Sequence, residues 1–131
     1  MARTRWGRRR GEDGITTLET AVLFPLALLL ILMIIQLALL HFADSAALAA
    51  ARSGAGTGAL YGSGPAQGAQ GAQAFVHQHV GAALTGAEIS TAGSSATVTR
   101  ITVTGSAIRL IPFVSLGVSQ SAEADDEQFV P

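Results

Sequence analysis

The chain has 131 residues, 49% of them hydrophobic and 13% charged, with 15 glycines, no cysteine and a formal net charge of -1. Without cysteine, disulfides, thiolate chemistry and cysteine-bound metals are excluded. The small net charge conceals an asymmetry: Arg3, Arg5, Arg8, Arg9 and Arg10 are five of the eight basic residues, whereas acids outnumber arginines after Leu40.

Residues 1–14, MARTRWGRRRGEDG, read as a basic cytoplasmic leader, too polar and glycine-containing to fold in water. An RRR run can serve as a nucleic-acid arm, but no basic domain follows it, so a nucleic-acid partner is not expected. The stretch Ala21–Leu40, AVLFPLALLLILMIIQLALL, carries no charge and only Gln36 as a polar side chain. A helix of that length covers roughly the 30 Å hydrocarbon core of a bilayer, so the lipid bilayer is the first expected partner. The five arginines then act as a topology signal. They place the N-terminus in the cytoplasm and everything after Leu40 outside, in a single-pass protein of the cell membrane. Glu19, at the lip of the apolar run, is costly if left unpaired in hydrocarbon, although the first turn of a helix favours an acid. Pro25 cannot donate to the carbonyl of Ala21 and reads as a helix kink. Gln36 either bonds a neighbouring helix or reaches the outer headgroups.

Beyond Leu40 the pattern HFADSAALAAARSGAG keeps favouring helix, so residues 15–53 read as one transmembrane and extended helix, running from near Thr17 to near Ser53. Residues 54–64 read as a glycine-rich linker. Pro65 opens a second helix reaching Leu84, with Val76, Val80 and Leu84 as its apolar stripe. His77 and His79 are two apart, diverge on a helix and have no third ligand, and His41 has only Asp44 nearby; no metal site is expected. A short strand at Ala87–Thr91 and a turn at Ala92–Ser95 precede a strand at Thr97–Thr104, with Ile101 and Val103 inward and Arg100 and Thr102 outward. Gly105-Ser106 is expected to end that strand. Ala107–Ile111 and Phe113–Ser119 follow as further short strands interrupted by Pro112. The class is therefore α+β: a long N-terminal helix, a second helix and a small antiparallel sheet of three or four strands, with residues 65–122 forming a small extracytoplasmic domain. Residues 123–131 read as an acidic, solvated tail, because Asp125, Asp126 and Glu127 lack the alternating oxygen ligands of a calcium loop. No nucleophile with a base, phosphate-cradling loop or redox motif stands out, so neither an enzyme, a cofactor nor a small-molecule substrate is expected.

The order of features at the N-terminus carries more. A basic leader ending in Gly14, the uncharged Ile15-Thr16-Thr17-Leu18, Glu19 fifth after the glycine, and then the apolar run resemble the class III signal of type IV pilin-like proteins. The segment GITTLETAVLFP, and AAARSGA at residues 49–55, resemble TadE-like pseudopilins, the minor pilin components of tight-adherence (Flp) pilus systems. The stretch from Arg109 to Phe129 is similar to the ends of such proteins from high-GC Gram-positive bacteria. One departure is Thr20, which stands where an aromatic residue usually follows the glutamate. The resemblance implies a non-enzymatic pseudopilin that assists assembly of a tight-adherence, type IV-like pilus. It implies a prepilin-type aspartic peptidase cutting between Gly14 and Ile15, and partners among other pilin or pseudopilin subunits and the pilus assembly platform. It also implies that Glu19 pairs with the new amine at Ile15 of a neighbouring subunit. Two alternatives stay open: an uncleaved membrane-anchored envelope protein whose outer domain binds a protein or wall partner, and a secreted domain released by signal peptidase within Ser45–Ala51.

Overall fold

A computed structural model describes residues 9–112 and 116–128, with side chains from Thr16 onward. Arg3, Arg5, Arg8, Phe113 and Phe129–Pro131 lie outside the described residues. The elements in order are α1 (Arg9–Ala59), α2 (Pro65–Phe75), a π-helical turn (Val76–Val80), a short 3-10 turn (Gly81–Ala83), β1 (Leu84–Ser90), β2 (Val98–Ala107) and β3 (Gly117–Asp125). This is the α+β arrangement expected, with three strands in the sheet. The chain divides into two compact units, Met1–Ile35 and Gln36–Pro131, the boundary falling within α1.

In the first unit α1 is a helix whose apolar side chains are exposed on all sides: Leu18, Val22, Leu23, Phe24, Leu26 and Leu30 all face outward. Among the described residues the helix already runs from Arg9, earlier than the start expected near Thr17. Once a long helix is nucleated, each further residue gains a hydrogen bond at little cost, which lets it run back through Gly11 and Gly14.

The second unit has two layers. The sheet is an antiparallel meander in the order β1-β2-β3, and its inner face is set by β2, whose Ile101, Val103 and Thr99 are the largest fully buried side chains. Ile101 pairs with Ala122 and Val103 with Gln120 on β3, while Val103 pairs with Ile89 on β1. A β-bulge between Thr85 and Glu88 interrupts the β1–β2 ladder. On the opposite face Arg100 ion-pairs with Glu123 and Thr102 hydrogen-bonds Ser121 at 3.1 Å. The expected alternation of β2, with Ile101 and Val103 inward and Arg100 and Thr102 on the other face, is what forms.

Against the inner face lie α2 and the second half of α1. The α1 contribution is almost entirely small: Ala43, Ala47, Ala50, Ala51, Ala55 and Ala59 are buried along one stripe. The stripe continues through Gly54 and Gly58, so the helix does not end at Ser53, and the break is confined to Leu60–Gly64. The reason is contact with α2. A Cβ on Gly54 would stand 2.7 Å from both Ala72 Cβ and the Gly68 carbonyl oxygen, and one on Gly58 would stand 2.6 Å from Thr99 Cγ2. Close backbone approach thus offsets the helix cost of glycine, about 1 kcal/mol per residue.

The second helix is shorter than expected. Regular α2 stops at Phe75, and the π turn ends where the Gly81 N–H donates to the Val76 carbonyl. Leu84 therefore opens β1 instead of closing a helix, and its side chain lies over Gly105, where an added Cβ would meet Leu84 Cδ1 at 2.8 Å. That packing keeps Gly105-Ser106 inside β2, against the expected break there. Of the two further strands expected, residues 108–111 form none, since β2 ends at Ala107; the one expected at 113–119 lies partly outside the described residues, and β3 runs from Gly117 to Asp125, taking in part of the expected tail. Its inward positions Val118, Gln120, Ala122 and Ala124 alternate with exposed Ser119, Ser121, Glu123 and Asp125.

Nor do the next residues float free. The Asp126 N–H donates to the Thr97 carbonyl at 2.8 Å, and Asp126 Oδ1 accepts from the buried Thr99 Oγ1 at 2.7 Å. The Glu127 N–H caps the end of α1 by donating to the Ala59 carbonyl at 2.7 Å.

Two predictions follow from this packing. Gly58→Ala is expected to destabilise the protein by about 1–3 kcal/mol through overpacking, whereas Gly56→Ala, with open space around it, gains about 0.5–1 kcal/mol of helix stability; thermal melts in detergent compare the two. Thr99→Val keeps the shape but leaves Asp126 without its hydroxyl donor, and lowers stability by about 1–2 kcal/mol in chemical denaturation.

Candidate functional site

Of the residues singled out by sequence, Arg9, Arg10, Gly14, Ile15, Glu19 and Pro25 lie along one helix. Gly14 and Ile15 are both within α1, so the peptide bond between them is helical in the uncut chain. Arg9 and Arg10 open the same helix, and their side chains lie outside the described residues. Glu19 is exposed on the helix surface and makes no ion pair among the described residues. It stands four residues after Ile15, a spacing that puts the two on one helical face. Thr20 donates its hydroxyl to the Thr16 carbonyl at 2.8 Å, and Thr16, Thr17, Thr20, Ala21 and Phe24 line a shallow depression next to Glu19. In place of the usual aromatic, Thr20 thus turns its polar atom back onto its own helix. Pro25 is an interior residue of α1.

The helix has the dimensions of a membrane span. Thr16–Ala59 contains an 18-residue window with a mean hydropathy of 2.8, of which 6% is buried by the protein itself. A core helix of a water-soluble domain would hide one face of such a window, while this one exposes nearly all of it. One long apolar helix near the N-terminus supports a single-pass membrane topology.

Gln36 does something the sequence did not indicate. Only 4% exposed, it donates from Nε2 to the Ile108 carbonyl at 2.8 Å and accepts at Oε1 from the Leu110 N–H at 2.7 Å. Its amide is therefore engaged within the chain, on the β2–β3 connection. Both ends of the amide and both backbone groups are satisfied at once, which matters most where water is scarce. A second tie follows two turns later, where Gln120 Nε2 donates to Asp44 Oδ1 at 2.6 Å. Neither contact leaves a local signature, because the partners are more than 70 residues apart.

Other candidates stay apart. His41, His77 and His79 are exposed, and Phe75 stacks at a tilt on His79 with centroids 4.9 Å apart. Among the described residues no group of three or more His, Asp or Glu side chains could hold a metal. Arg109 is exposed on the β2–β3 connection.

Residues 14–56 match the family model described as TadE-like protein, which supports assigning the chain to that family. The match starts at Gly14, takes in Glu19 and the apolar run, and stops before α2. The resemblance of Arg109–Phe129 to the ends of such proteins lies outside it. No curated protein and no solved structure matches the chain.

Replacing Gln36 with Leu strands the Ile108 carbonyl and the Leu110 N–H. The expected cost is about 1–3 kcal/mol, seen as faster amide exchange at Leu110 by about tenfold or more, with little change at Ile101.

Proposed function

We propose that this chain is a non-enzymatic, single-pass pseudopilin that assists assembly of a tight-adherence, type IV-like pilus and is matured by a prepilin-type aspartic peptidase between Gly14 and Ile15. The observation that carries the reading is the ordered set of arginines, Gly14, Glu19 and apolar helix, together with a family match that begins at Gly14 itself. In this reading the N-terminus faces the cytoplasm, in keeping with the five leading arginines, and residues beyond the span lie outside. Cleavage creates an amine at Ile15. An amine entering an apolar bundle needs a counter-charge, and the exposed Glu19 supplies one to a neighbouring subunit. Pro25, inside the same span, is read as a bend point that neighbouring helices accommodate. The partners are the peptidase, other pilin or pseudopilin subunits and the assembly platform.

The helix across Gly14-Ile15 favours a second reading, an uncleaved envelope anchor whose outer domain binds a protein or wall partner, since a peptidase takes its substrate bond in extended form and the helix must first unwind there. Release within Ser45–Ala51 is disfavoured by packing: that cut strips Ala43 from the core and severs the turn carrying Ala47, Ala50 and Ala51, all four of them fully buried.

N-terminal sequencing and intact mass of the protein from its native membrane test the maturation step. The expected start is Ile15, and Gly14→Leu should leave only the full-length precursor; unchanged processing of that variant would refute cleavage at this bond. Glu19→Ala is expected to be cut normally but to lose most co-isolation with other pilus components, and undiminished recovery would remove the pairing role.

A further inference from the structure

The β2–β3 connection sits at an unexpected level. Gln36 lies inside the apolar run, four residues before its end at Leu40, or about 6 Å along the helix axis. Because Gln36 holds Ile108 and Leu110 by two hydrogen bonds, the connection is fixed at that same level. The segment is Ile108-Arg109-Leu110-Ile111-Pro112, apolar except for one arginine, and Leu110 and Leu37 are both exposed. A helix that crosses a bilayer through this run brings the segment down to the membrane surface with it.

We propose that Ile108–Pro112 is a second membrane contact, seated at the boundary between headgroups and acyl chains in the leaflet on the domain's side. It rests on the reading that α1 spans a membrane. Leu110 then joins Leu37 in the acyl region, and Arg109, exposed between two apolar neighbours, carries its guanidinium up to lipid phosphates while its stem stays among the chains. The Gln36 amide fits this depth, since it removes from solvent need one carbonyl and one N–H of an irregular backbone. The remainder of the backbone limits insertion to the interface, where water and headgroups remain in reach, as for interfacial segments that sink about 5–10 Å. The outer domain is thereby held against the lipid by two attachments, the span and this connection.

The absence of cysteine allows single-site labelling of the full chain in vesicles of phosphatidylcholine and phosphatidylglycerol. Leu110→Cys, Leu30→Cys and Ala92→Cys each receive an environment-sensitive nitrobenzoxadiazole probe. Leu30 marks the middle of the run, and Ala92 lies in the turn at the opposite end of β2 from the connection. Spin-labelled lipids carrying the quencher near the headgroup or near the chain end read depth, and iodide reads water access. The proposal expects the Leu110 probe to be quenched about twofold more by the shallow lipid than by the deep one and to be shielded from iodide, with Leu30 showing the reverse depth order and Ala92 open to iodide. A Leu110 probe as open to iodide as Ala92, with Leu30 still deep, overturns the second contact and leaves the span standing. A Leu30 probe open to iodide overturns the span and the contact together. Should Leu110→Cys unfold by circular dichroism, Pro112→Cys gives the same reading from an exposed position of the same segment.

Discussion

The second unit depends on how closely two helices approach through their backbones. Gly54 and Gly58 of α1 meet Gly68 and Ala72 of α2 with no room for a single added carbon. That approach brings both helices down onto Ile101, so a sheet of three strands finds a complete inner layer although few large side chains are available. Small domains have little area to bury, and here an alanine and glycine stripe buries backbone and methyl groups that larger residues would hold apart.

Chain ends and connections are secured by polar contacts around that packing. Thr99, buried where Gly58 approaches β2, passes its hydroxyl to Asp126, and the next residue caps α1 at Ala59. Gln36 does the same for the β2–β3 connection. The ion pair of Arg100 and Glu123 is half exposed and screened by water, and contributes little beside these. A domain with a thin core is therefore closed by hydrogen bonds whose donors or acceptors are themselves buried, where a missing partner costs more than a surface pair supplies.

What could be read from the sequence was whatever repeats locally. Ala21–Leu40 declared a span, Ile101 and Val103 declared the inner face of β2, and Pro65 declared the start of α2 at its observed first residue. Misreadings gathered where a residue's behaviour is set by something distant. Gly54 and Gly58 look like helix breakers until α2 is placed against them; Gly105 looks like a strand end until Leu84 covers it. Val118, Gln120, Ala122 and Ala124 alternate as a strand should, but with side chains too small or polar to show it. Gln36 looked like a group awaiting an outside partner because nothing near it in sequence resembles Ile108 or Leu110. For the candidate site, Gly14 and Glu19 were singled out by resemblance, and the helix that carries them leaves their roles a proposal.

The use of the small-residue stripe inside the chain constrains any assembly. Small residues let helix backbones approach closely, and from Ala43 to Ala59 that face of α1 is already covered within the chain. On the proposed reading, the part of α1 before Gln36, exposed on nearly every side, is open to contacts with other subunits. There the bulky face of Leu26, Leu30 and Ile34 suits lipid, while Thr16, Thr20 and Ala21 form a patch low enough for another helix. Glu19 stands beside that patch. On the proposed reading, the low patch and the carboxylate suit the same neighbour, one that brings a free amine to the level of residue 19.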